Sequence, residues 1–180
     1  MRIFIGCSSE IVDDQYLENS RKLVQKIAAM EDVDLAFGAY NHGMMGEVYH
    51  AFLKQHKDIL GVTVDLYKKQ LTELECDNSI VVETTMEREK ELYNHSDVIL
   101  FLPGGLGTYA EIFSMLEEHR TKMDDKKIIL FNDGFFYTPL LERLDYLYRE
   151  HFSSKNVDEL IDIEIDLEEI IKKIQKFRRK

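Results

Sequence analysis

The sequence predicts a doubly wound α/β fold, a mainly parallel sheet of about seven strands with helices on both faces. Three observations carry it. Short apolar runs of strand length alternate along the chain with longer segments of helical period. The runs, such as Val98–Leu102, are apolar on both faces, as strands covered by helices on two sides must be. At Pro103 that run breaks into Gly104, Gly105 and Gly107 and then into a helical pattern, the strand, glycine turn and helix of an open parallel sheet.

In chain order, Arg2–Cys7 is a buried-type strand, and 13–30 places Tyr16, Leu17, Ser20, Leu23, Val24, Ile27 and Ala28 at helical spacing. Val33–Phe37 is a second strand. The turn Gly38–Gly43 opens a second helix, Met44–Leu53, and Ile59–Val64 is a third strand. Asp65–Asn78 is polar and charged and is expected to be a loop over the site, before a short fourth strand, Ile80–Val82. Thr84–His95 is helical, Val98–Leu102 is the fifth strand, and Gly105–Lys122 is a helix with an apolar stripe of Ile112, Phe113, Leu116 and His119. Lys127–Phe131 is a sixth strand ending in the turn Asn132-Asp-Gly134. Pro139 suits the first turn of the helix that runs on to Glu150, because its missing N–H is not needed there. Leu160–Ile165 alternates apolar and acidic, as an edge strand would. Leu167, Ile170, Ile171, Ile174 and Phe177 line one face of a closing helix whose basic end, Arg178–Lys180, suits its dipole.

Composition narrows the function. At 180 residues the chain fits one domain, 1–180, with room for a sizeable core. No apolar run approaches the roughly 18 residues of a membrane span. The chain opens on a strand pattern rather than a secretion signal, and Cys7 and Cys76 form no disulfide framework, so a reducing cytoplasm is the expected compartment. A formal charge of −11 repels nucleic acid and anionic membrane surfaces. An anionic small molecule must then be held by local donors. The glycines after Val98–Leu102 provide them: backbone can approach the ligand closely, and the helix start offers unpaired N–H groups and the positive end of a dipole. The loop has no Lys-Ser/Thr of a P-loop, and Gly6-Cys7-Ser8-Ser9 after the first strand is no G-x-G-x-x-G dinucleotide fingerprint. No cofactor and no catalytic metal are expected, since no His, Cys or carboxylate set has ligand spacing.

Two side chains are candidates for chemistry. Glu111 follows Thr108 by three residues, which is a capping box in one reading and a carboxylate aimed at a phosphate loop in the other; Thr84-x-x-Glu87 has the same signature without the glycines. Arg88 falls in the first turns of its helix, where the dipole disfavours a cation. It either pairs with Glu87 or Glu91 on the surface or faces the pocket, meeting phosphate, ribose or Glu111. His42 lies in a glycine turn and suits solvent better than ligand, Met44 and Met45 suit core packing or the wall of a base pocket, and Ser8-Ser9 has no identifiable base partner.

Pro103-Gly-Gly-Leu-Gly-Thr-Tyr-Ala-Glu111 resembles the P-G-G-x-G-T-x-x-E hallmark of the LOG phosphoribohydrolases, often mislabelled as lysine decarboxylases, at every fixed position. Arg88, Gly43-Met44-Met45-Gly46 and Asn132-Asp-Gly-Phe-Phe136 are similar to further family motifs, so the likeness runs over most of the chain. Glu89 stands where the family usually has Lys, Gly38-Ala39-Tyr40 replaces a glycine triplet, and Val64 replaces a Pro. The resemblance implies a single-domain, Rossmann-like fold and hydrolysis of the N-glycosidic bond of a nucleoside 5′-monophosphate, AMP or a cytokinin type, to free base and ribose 5-phosphate. It makes Glu111 and Arg88 catalytic, with Gly104, Gly105, Leu106, Gly107, Thr108, Gly43, Met45 and Ser8 binding substrate, and it implies a homodimer or larger homo-oligomer. The second reading is a nucleotide or molybdenum-cofactor carrier of the same architecture without turnover.

Overall fold

The computed structural model describes residues 1–122 and 124–178, the side chains of Tyr16 and Arg178 excepted. Its centre is one seven-stranded sheet in which every pair is parallel: β1 (Arg2–Gly6), β2 (Asp34–Phe37), β3 (Ile59–Val64), β4 (Asn78–Val82), β5 (Val98–Phe101), β6 (Lys127–Phe131) and β7 (Asp162–Glu164). The helices are α1 (Glu18–Ala28), α2 (Gly43–Lys54), α3 (Lys68–Leu71), α4 (Thr85–Asn94), α5 (Leu106–Lys122), α6 (Thr138–Arg149) and α7 (Leu167–Arg178).

The side-chain period of two divides the core cleanly. Ile3, Ile5, Leu35, Phe37, Leu100, Ile129 and Phe131 face one helix layer, which supplies Leu23, Val24, Ile27, Val48, Phe52, Ile170 and Ile174 from α1, α2 and α7. Phe4, Ala36, Leu60, Val62, Ile99, Phe101, Ile128 and Leu130 face the other, which supplies Leu92, Tyr93, Ile112, Met115 and Leu140 from α4, α5 and α6. Both faces are dry, which is why the strands read as continuous apolar runs. Among the described residues no helix is long and apolar enough to cross a membrane.

The sheet order is β4-β3-β2-β1-β5-β6-β7. The chain winds outward from β1 to β4, then crosses to the opposite side of β1 and winds out to β7. The reversal leaves a crevice at the carboxyl ends of β1 and β5, where loops diverge and no crossover covers the sheet. Gly6 and Phe101 are register partners at that point.

The expected elements all form, with shifts at their ends. The stretch before Leu17 is a 3-10 turn rather than part of α1. The segment expected to be an open loop after β3 contains the 3-10 turn Asp65–Tyr67 running into α3, because Leu71 is drawn into the core and packs over Gly61. Phe113, expected in the apolar stripe of α5, is about half exposed and lines an outer groove between α5 and α6 with Leu144 and Phe152. His119 serves in a polar knot, its Nδ1 3.1 Å from Asp124 Oδ1, which also accepts a bond from the Tyr93 hydroxyl at 3.0 Å. β7 takes the expected edge position. α7 ends at Arg178, and the rest of the expected basic end, Arg179 and Lys180, lies outside the described residues.

Candidate active site

The turn from β5 into α5 is built as its glycines require. Tyr109 N donates to Gly105 O at 3.1 Å, so among the described residues the amides just before it are left without helical acceptors. A Cβ placed on Gly105 or Gly107 would meet nothing within 4 Å, so the space over those amides is open. Gly104 has the opposite reason for lacking a side chain, since a Cβ there would collide with the Thr108 side chain, which is buried beneath the turn. Tyr137 fixes the turn from below: its phenol donates to Leu102 O at 2.6 Å, and its own N–H donates to Asn132 Oδ1 at 2.7 Å. Burial pushes the Tyr137 phenol well above its ordinary range, so it is a permanent donor.

Glu111 points into the crevice. Its carboxylate is almost wholly buried, and Arg88 Nη2 donates to Oε1 at 2.9 Å. It makes no capping bond to Thr108, whereas Thr84 and Glu87 do form the capping box at the start of α4. The helix that carries Arg88 is thus fixed by its own cap, and Arg88 is free to reach across to α5. Burial pushes the Glu111 carboxyl up to about 7; Arg88 opposes that rise and the negative charge of Glu89 adds to it. Among the described residues Arg88 Nε is itself buried without a hydrogen-bond partner.

Two glycines that the sequence reading did not assign to the site make room for this pair. A Cβ on Gly6 would approach the Phe101 ring to 2.6 Å and Glu111 Oε2 to 3.1 Å, and one on Gly38 would collide with Arg88 Nη2. The carboxylate therefore lies over the end of β1 and the guanidinium over the end of β2. Beyond them a cleft of about 280 Å³ extends toward β3, its lining including Met45, Arg88, Tyr40, Thr63, Tyr67 and Gln70. Cleft, guanidinium, carboxylate and amide turn follow one another across β3, β2, β1 and β5, strands adjacent in the sheet. At ~4.8 Å per strand the row spans about 14 Å, comparable with the length of a nucleoside monophosphate.

The remaining predicted residues sort by distance from this row. Gly43 has φ +54 and packs on the backbone of Ser9 and Glu10, so it closes the β1 loop onto α2 rather than facing the cleft. Ser8 turns its hydroxyl into its own loop, accepting from Glu10 N at 3.0 Å, while its carbonyl accepts from Met45 N at 3.1 Å. Leu106 is 90% exposed. His42 is exposed and stacks on Tyr40, with centroids 5.9 Å apart. Met44 is core, and Met45 lies against Gly38 in the cleft wall. Among the described residues no three His, Cys, Asp or Glu side chains group as a metal set.

The model of a family described as possible lysine decarboxylase matches residues 45–174. A cytokinin riboside 5′-monophosphate phosphoribohydrolase of Arabidopsis thaliana, LOG4, is 28% identical over 178 residues, covering 98% of this chain and 82% of its own length. The enzyme of the same name, LOG, from Oryza sativa subsp. japonica is 26% identical over 182 residues, covering 98% and 73%. Among solved structures, the molybdenum cofactor carrier protein of Chlamydomonas reinhardtii superposes with a TM-score of 0.70 at 18% identity, covering 99% of this chain and 98% of that one. The molybdenum cofactor binding protein of Rippkaea orientalis gives 0.68 at 24%, covering 97% and 95%. At those identities the likeness to the carriers is one of fold. The family match spans well over half of the chain and includes both the glycine turn and the Arg88–Glu111 pair, so this protein belongs to the LOG-type family described as possible lysine decarboxylases.

Proposed function

We propose that the protein hydrolyses the N-glycosidic bond of a nucleoside 5′-monophosphate, releasing free base and ribose 5-phosphate. The observation that carries the proposal is the position of the Arg88–Glu111 pair, between an open row of backbone amides and an aromatic cleft. A nucleotide laid along that row puts its phosphate on the amides of 104–108, its base in the cleft and its anomeric carbon beside the buried carboxylate. The names of the relatives point to the same substrate class.

The chemistry follows from the environment of Glu111. As the bond from C1′ to the base nitrogen breaks, the base leaves with the bonding electrons and positive charge builds on the sugar. A carboxylate held in a dry pocket opposes that charge far more strongly than one in water. It also accepts a proton from the attacking water as oxygen bonds to C1′, and the departing base nitrogen takes up a proton in turn. Arg88 keeps the carboxylate ionised and in place against the cost of burial. Phosphate bound at the amides supplies binding energy remote from the reacting bond, which is used to position it. Ser8 and Gly43 act one step back, by closing the β1 loop onto α2 so that Met45 faces the cleft.

The protein is further proposed to act in the cytoplasm as a homodimer or larger homo-oligomer, with no metal or other cofactor. The apolar side chains of Met86 and Leu106, in the first turns of α4 and α5, and of Phe135, in the turn after β6, stand exposed around the mouth of the site and support a second subunit there. Incubation with AMP, CMP, GMP, UMP and isopentenyl-AMP, read as free base and ribose 5-phosphate, tests the activity. Release that disappears in Glu111→Gln supports it. Tight binding with no product from any of them identifies the protein as a carrier instead.

A further inference from the structure

Glu89 carries a charge beside the reacting centre that no other described residue matches. It stands one helical turn before Tyr93, whose ring is buried and whose hydroxyl lies 3.4 Å from His119 Nδ1 of α5. That spacing puts Glu89 on the face of α4 that packs toward α5, and its charge acts on Glu111. It is half-buried, and among the described residues it makes no hydrogen bond or ion pair. Arg88 is already matched by Glu111, whose Oε2 accepts no bond among the described residues, so the charge of Glu89 is left over. The cleft alongside adds another carboxylate, Glu10, and the rings of Tyr40 and Tyr67, whose faces attract cations. Its described lining contains no His, Lys or Cys to protonate a departing base.

We propose that Glu89 sets the specificity of the site, favouring nucleoside 5′-monophosphates whose base carries a fixed positive charge, such as a pyridinium or an N-alkylated purine. Such a base is held over the tyrosines by the surplus negative charge. It also leaves without a proton donor. The bond from C1′ to the cationic ring nitrogen breaks and its electron pair neutralises the ring, while water oxygen bonds to C1′ and the water's proton passes to Glu111 and on to solvent. The transition state carries one more positive charge than that of a neutral base, so a second nearby carboxylate favours it more. The inference rests on the nucleotide hydrolase reading and adds the charge of the base and the residue that selects it.

The test compares nicotinamide mononucleotide, a pyridinium nucleotide, with AMP. Both are assayed for base release by the wild type, Glu89→Gln and Glu89→Lys, well above pH 7, where Glu111 is ionised. Each variant is expressed relative to the wild type on the same substrate, so the leaving-group abilities of the two bases cancel. The ratio of kcat/KM for the pyridinium nucleotide to that for AMP is expected to fall about threefold in Glu89→Gln and about tenfold or more in Glu89→Lys, whereas a merely structural role lowers both substrates alike. Base released from AMP but not from the pyridinium nucleotide, or a ratio that Glu89→Lys leaves unchanged, overturns the inference while the hydrolase reading stands. If the wild type releases base from neither, hydrolysis fails and the charge selection is judged by equilibrium binding of nicotinamide mononucleotide and its reduced form, whose ring is uncharged. Tighter binding of the charged form that is lost in Glu89→Lys sustains it. Equal binding of the two, or a preference that survives in Glu89→Lys, overturns it.

Discussion

In the proposed mechanism Glu111 is the residue on which the chemistry turns, and its ionisation gives a pH signature. Burial holds its carboxyl at about 7, so the carboxylate form, and with it the rate of base release, should rise with pH through about 7. Replacing Arg88 by Met removes the charge that opposes burial, so the rising limb should move to higher pH as the rate falls. Glu89→Lys replaces a charge that raises the Glu111 carboxyl with one that lowers it, and should move the limb to lower pH. The stability consequence has the opposite sense. The native state holds this proton more tightly than the unfolded chain, so the contribution is favourable at low pH and is lost as pH rises from about 4.5 to about 7. The fall in Tm between those values should therefore be larger in the wild type than in Glu111→Gln. The sequence named Glu111 and Arg88 and left open whether they meet. The two are far apart in the chain, and only the packing of α4 against α5 at the switch point joins them.

At the scale of elements, the turn from β5 into α5 is the proposed anion seat, held in shape by its surroundings. Gly105→Ala should leave Tm unchanged, because its Cβ meets no protein atom, while weakening nucleotide binding by projecting over the amides. Gly38→Ala should lower kcat by displacing the Arg88 guanidinium, with little effect on phosphate affinity. Tyr137→Phe removes the donor to Leu102 O and leaves a buried carbonyl unpaired, a loss of about 1–2 kcal/mol in denaturant unfolding, and should raise KM for the monophosphate. Glycine spacing and the strand-to-helix change made this element legible in the sequence. Tyr137, Gly6 and Gly38 were not assigned to the site, because their roles are contacts with distant segments and no local pattern encodes them. The stretch 65–78 was read as an open loop because its charges mask its anchors, Leu71 buried in the core with Leu74 and Cys76 packed against it, and Leu71 lies between the Tyr67 turn and the end of α3 that lines the cleft.

For the whole molecule, the fold class was legible because both faces of the sheet are buried, so composition and spacing alone separate strand from helix. The place of the site followed from topology, since the chain reverses its winding at β1. The same geometry leaves Met86, Leu106 and Phe135 exposed around the mouth, and Leu106→Asp should weaken self-association in sedimentation equilibrium while leaving the monomer folded. The central claim is that one nucleotide spans four strands with its reacting bond at Glu111. The direct measurement is a crystal structure of Glu111→Gln with AMP bound. The account predicts phosphate oxygens on the amides of 104–108, C1′ against the side chain at position 111, and adenine in the cleft beside Tyr67 and Gln70. Phosphate seated elsewhere, or an anomeric carbon out of reach of position 111, would contradict it.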